Sequence, residues 1–158
     1  MGQTNYLQPR FRLGILGEYS GDEIIDSYVC DVDLTLTTAV VQGADEPLCA
    51  PVDGLATAAD IIGLTVLNID CDYYDETETI EAGASVSVAR KGCFVCTVEG
   101  AVTKGAPVFV RTTAAGAEVL GALRGDADGG DAIALPGAQF GSSTTGAGLA
   151  LVRLNLPQ

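Results

Sequence analysis

The sequence predicts an all-β fold, and three observations lead to this prediction. Short runs of alternating apolar and polar residues recur along the chain, and each ends in Gly, Pro, Asp or Asn. The 158 residues include 20 glycines, while 47% are hydrophobic and only 18% are charged, a composition typical of a turn-rich chain with a buried core. No stretch has the spacing of a long amphipathic helix. We therefore expect one compact β-sandwich or barrel, jelly-roll-like, over residues 22–158.

The N-terminal residues 1–21 differ from the rest of the chain and predict an extended arm. Apolar and basic side chains are interspersed there with Pro and Gly, which interrupt any regular pattern. Chain ends are usually loose unless another element holds them. An edge strand paired with the chain's own domain explains this segment equally well.

The alternation indicates a series of strands separated by turns. Strands are predicted in residues 34–40, 62–66, 85–88, 93–98, 108–111 and 150–156. Turns are expected at residues 90–92, 104–107, 126–131 and 141–148, where Gly, Pro and Asp cluster. The last strand is apolar on both faces, with Leu149 and Leu151 opposite Val152 and Leu154. It is therefore expected to be covered on both sides, either by a second sheet of the same domain or by another copy of the chain.

The charge distribution limits the partners that this chain can bind. The net charge is −13, and sixteen acidic residues with no Lys or Arg lie between Leu13 and Ala89. A surface of this sign repels nucleic-acid phosphates, so we predict no nucleic-acid partner. The acidic half is either a solvated surface or a repulsive outer face that suppresses wrong associations.

Neither a membrane segment nor a secretory signal is expected. The longest apolar stretch, residues 61–67, is far shorter than the about 20 residues that cross a bilayer. The first residues lack the apolar core of a signal peptide, so we expect synthesis in the cytoplasm. Five cysteines cannot all pair within one chain, which favours reduced, buried thiols. One bridge between subunits is the alternative.

The residues of common enzyme and metal sites are missing or badly spaced. The chain has no histidine, which excludes the usual general base, the usual triads and the commonest zinc ligand. Cys93 and Cys96 form a lone CxxC on a predicted strand, where residues three apart face opposite sides. Asp126, Asp128 and nearby glycines suggest calcium, but Gly137 stands where an EF-hand needs its bidentate Glu. We predict core thiols, an acidic turn, no catalytic residues, no metal and no cofactor.

The densest acidic stretch, residues 70–81, leaves two further functions open. A solvated loop is the simplest interpretation of so many carboxylates. Asp72 and Glu78 would be the acidic pair of a small hydrolase, which needs one carboxyl in an apolar pocket. Tyr73 and Tyr74, beside the carboxylates, would suit a module that binds host polysaccharide.

The second half of the chain carries an ordered series of motifs. Residues 81–98 run from an acidic turn through alternating valines and Arg-Lys-Gly into a Phe-Val-Cys-Thr-Val strand. Residues 101–111 contain Lys-Gly-Ala-Pro-Val-Phe-Val-Arg, and residues 121–130 and 148–154 continue the series. The order of these motifs resembles the capsid cement, or decoration, proteins of tailed bacteriophages. The resemblance is close over residues 83–154 and loose over residues 26–68.

This resemblance implies a structural protein of the virion that is made in the host bacterial cytoplasm. It would bind the outer surface of an expanded phage head, staple neighbouring major capsid subunits and self-associate as a homodimer or homotrimer. The arm would contact the capsid through Tyr6, Leu7, Arg10, Phe11, Arg12 and Leu13. The copies would contact each other through Leu149, Leu151 and Arg153 on the last strand. The alternative is a head-fibre or adhesion module that binds host surface polysaccharide.

Overall fold

The computed structural model describes residues 16–18, 22–67 and 79–157, with the backbone alone described for residues 16–18. These residues form twelve strands and one three-residue 3-10 turn, Asp128–Gly130. The strands are β1 Leu16–Glu18, β2 Ile24–Cys30, β3 Leu34–Thr35, β4 Ala39–Gln42, β5 Leu48–Pro51, β6 Ile61–Val66, β7 Thr79–Ile80, β8 Ser85–Val98, β9 Pro107–Arg111, β10 Leu123–Arg124, β11 Ala132–Phe140 and β12 Gly148–Asn155.

Strand pairing closes two rings that share β8. In the first ring β8 pairs with β2, β2 with β5, β5 with β4, β4 with β6, and β6 again with β8. In the second ring β8 pairs with β12, β12 with β11, β11 with β9, β9 with β10, and β10 again with β8. Closing a sheet on itself removes exposed strand edges. The predicted all-β barrel fold is confirmed.

Each ring has its own apolar cluster. The first ring contributes a small cluster, which includes Val40, Val86 and Val88 together with two cysteines. The second ring holds the larger cluster around Phe94 and Phe140, and this cluster continues onto β6. Val86 and Val88 in the first half of β8 enter the small cluster, whereas Phe94, Cys96 and Val98 in its second half enter the large one. One long strand therefore connects two small cores.

The turn predicted at residues 90–92 is wrong, because these residues lie inside β8. Lys91 is paired with Ile24 of β2 on one side and with Asn155 of β12 on the other. Pairing on both sides keeps the strand continuous through a segment whose composition favours a turn. Gly92, with φ +132°, adopts backbone that other residues rarely adopt. A Cβ here would also lie 2.8 Å from the Phe94 ring, so glycine suits both the conformation and the packing.

The single strand predicted over residues 34–40 is two strands, β3 and β4. Thr37 has φ +60°, and the Thr38 hydroxyl donates to the Thr35 carbonyl at 2.6 Å. This local hydrogen bond competes with strand pairing, as Thr side chains commonly do. Because of this break, β3 pairs with β7, whereas β4 pairs with β5 and β6 in the first ring.

One close backbone contact joins the two rings. Gly121, just before β10, accepts a hydrogen bond from Ala39 of β4 and donates one to the Arg111 carbonyl of β9, both 2.8 Å. Its φ is +80°, and a Cβ here would clash with the Ala39 carbonyl oxygen. Only glycine satisfies both the conformation and the spacing.

The last residues of the predicted arm pair with the chain's own domain. In β1, Leu16 is paired with Phe94 and Glu18 with Cys93 of β8, in antiparallel register. Residues 1–15 and 19–21 lie outside the described part of the chain. The arm itself stays a prediction.

Candidate functional site

A buried guanidinium organises the end of the second ring where β8, β9 and β10 meet. The Arg111 side chain is only 3% exposed, and its Nε donates to the Glu99 carboxylate at 2.8 and 3.0 Å. Its other nitrogens contact Asp128 at 2.8 Å and Glu118 at 3.1 Å. The Thr113 carbonyl accepts a further hydrogen bond at 3.1 Å. A buried charge is tolerated only with such complete pairing.

Arg124 of β10 extends this cluster toward solvent. Its guanidinium binds Asp126 at 2.7 Å and Asp128 at 2.6 Å, and it contacts Glu99 at 3.2 Å. The cluster therefore holds four carboxylates and two guanidinium groups, an excess of two negative charges. These ion pairs fix the loop before β10 and the 3-10 turn against the barrel.

The ion pairs also shift pKa values in this cluster. Hydrogen bonding to Glu99 raises the pKa of Arg111 above its usual range. The hydrogen bond from Arg124 lowers the pKa of Asp126. A carboxyl whose pKa is lowered by folding stabilises the fold above its unfolded pKa of about 3.9, and this contribution is lost as pH falls through the lower folded value.

The sequence did not reveal this cluster. Alternation in residues 108–111 places Arg111 on the face opposite Val108 and Val110, and all three are buried. The acidic turn around Asp126 and Asp128 is present, and its carboxylates bind arginines. In the described part of the chain, no group of three or more His, Cys, Asp or Glu is placed to hold a metal.

The four cysteines in the described ranges are buried, and none of them is part of a disulfide. Cys30 and Cys49 are direct neighbours in the parallel pairing of β2 with β5. Burial raises the pKa of both thiols, that of Cys49 to about 12. Cys93 and Cys96 oppose Arg153 and Ala150 of β12 and so lie on opposite faces of β8, as predicted. Cys71 lies outside the described residues.

This placement predicts which thiols can form a disulfide. In a Cys71→Ala variant, oxidised glutathione should accept two electrons and two protons from Cys30 and Cys49 and leave a bridge between them. Neighbouring strands lie about 4.8 Å apart, within the separation that a disulfide spans. Burial and the raised pKa will make the reaction slow at neutral pH. Non-reducing peptide mapping should find the Cys30–Cys49 peptide, lighter by two hydrogens.

A Cys49→Ser variant of the same protein is the matched control and should give no such peptide. Cys93 and Cys96 should remain alkylatable after unfolding, because they lie on opposite faces of one strand. A Cys93–Cys96 bridge formed in the folded protein, or full recovery of free Cys30 after prolonged oxidation, would contradict the prediction.

The residues predicted for self-association lie together on the outer face of β12. Leu149 is 46% exposed, Leu151 is half-buried and Arg153 is exposed, while Val152 and Leu154 on the other face enter the core. Thr97 of β8, next to Leu149, is also exposed. The second ring therefore covers one face of this strand and leaves part of the other face accessible.

Several other predicted residues lie outside the described ranges. These are the arm residues Tyr6, Leu7, Arg10, Phe11, Arg12 and Leu13, and the candidate hydrolase and sugar-binding residues Asp72, Tyr73, Tyr74 and Glu78. Among the residues that the structure describes, no helix has the length and apolarity needed to cross a bilayer.

The protein is therefore a small closed β-barrel, and a cluster of arginines and carboxylates holds the loops at one end of it. A family model for structural cement proteins, described by E217 gp24 and Pam3 gp6, matches residues 3–155. The match spans nearly the whole chain, and this chain belongs to that family of phage structural cement proteins. The predicted family is confirmed, and with it a structural role in the phage capsid.

A solved structure supports the fold. A chain from the capsid of Myoviridae phage XM1 is 20% identical, with a TM-score of 0.70 over 91% of this chain and 89% of that chain. The head fibre gp8.5 N base of bacteriophage phi29 is 6% identical, with a TM-score of 0.44 over 84% of this chain and 93% of that chain. The second likeness is too distant to carry an argument. No curated protein sequence matches this chain.

Proposed function

We propose that the protein binds the outer surface of the expanded phage head and staples neighbouring major capsid subunits. The observation that carries this proposal is the match of the cement protein family over residues 3–155. The protein acts by binding and not by catalysis. In keeping with this role, the carboxylates of its arginine cluster are engaged in ion pairs that hold the fold together.

Stapling requires that one particle-bound unit touches more than one capsid subunit. When several weak contacts belong to one linked unit, each later contact forms at a high effective concentration, so modest contacts combine into tight binding. We propose that the unit is a homodimer or homotrimer formed through Leu149, Leu151 and Arg153. Two partly exposed leucines on one face of β12 support this choice. A monomeric mass by light scattering at micromolar concentration would refute it.

The arm supplies the second type of contact in this proposal. Tyr6, Leu7, Phe11 and Leu13 anchor it in apolar recesses of the capsid, while Arg10 and Arg12 pair with acidic capsid groups. The contrast between this basic segment and a body of net charge −13 supports the assignment. Nucleic acid and membrane are not partners, because the acidic surface repels phosphate groups.

Cosedimentation with capsids tests the proposal. The full chain is expected to pellet with expanded empty capsids of its phage and to stay in solution with unexpanded ones. A variant lacking residues 2–15 keeps β1, and it should lose capsid binding by at least about tenfold because the anchors of the arm are gone. Its melting temperature should stay that of the full chain, and light scattering should give the same number of copies per oligomer.

Two outcomes would overturn parts of this proposal. If the shortened variant pellets as well as the full chain, the arm is not the capsid contact. If the full chain binds neither capsid form, the stapling proposal is refuted. Binding to a glycan array would then favour the polysaccharide-binding alternative.

A further inference from the structure

One loop presents a leucine that is almost entirely exposed to solvent. Leu55 is 91% exposed and lies between β5 and β6, whereas Val52 and Ile61 at the base of the loop are buried in the main core. A single exposed leucine is unremarkable on a protein surface. The significance of this residue depends on how the loop is held and on what surrounds it.

The loop is fixed by its own hydrogen bonds. The Asp53 carboxylate accepts from the Leu55 amide at 2.9 Å, and the Asp60 carboxylate accepts from the Thr57 amide and hydroxyl, both at 2.7 Å. Ala56 packs against the main core. A side chain on a fixed loop loses little conformational entropy when it enters a pocket, which favours binding.

A second exposed loop of small apolar residues lies beside it. Residues 113–119 are all exposed, and they include three alanines and Val119. The two loops meet at Gly54, where a Cβ would lie 3.7 Å from the Thr112 carbonyl and 3.8 Å from the Thr113 hydroxyl, in ordinary contact. Arg111 holds this second loop through Thr113 and Glu118. The loops carrying Leu55 and residues 113–119 form one surface, named here the Leu55 surface.

Negative charge surrounds the Leu55 surface. The connecting segments 52–60, 112–122 and 125–131 carry six carboxylates and no Lys or Arg. Two arginines beneath them, Arg111 and Arg124, are engaged with Glu118, Asp126 and Asp128. Asp53 and Asp60 flank Leu55 itself. A complementary partner would offer an apolar recess with basic side chains at its rim.

We propose that the Leu55 surface is a capsid contact separate from the arm, with Leu55 inserted into an apolar recess of the major capsid protein that is bordered by Lys or Arg. This inference depends on the proposed capsid-binding function and adds a second contact to it. Two separate contacts on one chain allow it to bridge two capsid subunits even before it self-associates. The apolar anchor supplies affinity, and the surrounding carboxylates supply orientation and association rate.

Cosedimentation of full-length variants with expanded empty capsids tests this surface. Leu55→Ser should weaken binding about 10-fold to 100-fold, as expected from removing one leucine side chain that is buried on binding. Leu55→Met keeps the apolar volume and should bind within about threefold of the wild type. Raising the salt concentration should slow association of the wild type and of Leu55→Met alike.

Val32→Ser is the matched control. Val32 is 46% exposed, stands between Asp31 and Asp33 on a turn of the first ring, and lies outside the Leu55 surface. Its substitution should leave capsid binding unchanged, and all three variants should melt at the wild-type temperature. Equal binding by Leu55→Ser and wild type would overturn the inference while the proposed function stood.

Two further results would also count against the Leu55 surface. If Leu55→Ser lowers the mass in light scattering, the occupant of this surface is a second copy of the chain and not the capsid. If the wild type pellets with neither capsid form, the proposed function itself fails, and this inference falls with it.

Discussion

Gly121→Ala is expected to lower the free energy of unfolding by about 4 kcal/mol. The left-handed backbone at φ +80° costs an alanine about 1–2 kcal/mol. The added Cβ would also clash with the carbonyl of Ala39 and lie 3.0 Å from its amide nitrogen. Relieving the clash means moving β4 away from the loop before β10, with loss of the hydrogen bond that joins the rings.

Gly116→Ala is the matched control for this experiment. Gly116 also has positive φ, +64°, but no atom lies within 4 Å of its Cβ position. It should therefore lose only about 1 kcal/mol, through the backbone conformation alone. Urea unfolding of both variants measures the difference. Equal losses would show that the close approach to Ala39 contributes nothing to stability.

Arg111→Met is expected to destabilise the fold by about 3 kcal/mol, although methionine fills much of the same volume. The substitution leaves the carboxylates of Glu99, Asp128 and Glu118 close together without the guanidinium that neutralises them. Removing one partner of a buried ion pair typically costs about 3–5 kcal/mol. We place the loss at the lower end because Arg124 continues to bind Glu99 and Asp128.

Thermal unfolding at neutral pH measures this effect, and each kcal/mol lost should lower the melting temperature by about 2–4 °C. Lys104→Met is the matched control, since Lys104 is exposed and its substitution should change stability by less than about 0.5 kcal/mol. Arg124→Met should have an intermediate effect, because that side chain is 16% exposed. If Arg111→Met has the same melting temperature as Lys104→Met, the cluster does not stabilise the fold.

The periodicity of the sequence predicted the class of fold because alternation records which face of a strand is buried. Residues 150–156 alternate in sequence, and in β12 buried Ala150, Val152 and Leu154 alternate with more exposed neighbours. The turn predicted at residues 90–92 and the single strand predicted over residues 34–40 were wrong because the pairing partners of a strand decide where it continues. Lys91 is held between two strands that are distant in sequence, and Thr37 sits where two short strands diverge.

Some functional features could likewise be predicted from the sequence, and others could not. The family resemblance was readable because motifs in residues 81–154 occur in a fixed order along the chain. The Arg111 cluster was not readable, since Glu99, Glu118 and Asp128 come from three segments that meet only when the second ring closes. The Leu55 surface was missed for the same reason, because residues 54 and 112 are neighbours only in space.

By itself, then, the sequence determined the β class, the family, the acidic character and the absence of histidine chemistry, since these follow from composition, period and order along the chain. Only the tertiary structure decided that two rings share β8, that Cys30 lies beside Cys49, and that a buried arginine holds the exposed loop beside Leu55. The physical reason is that strand pairing and charge pairing join residues far apart in sequence. Local pattern cannot specify which partners meet.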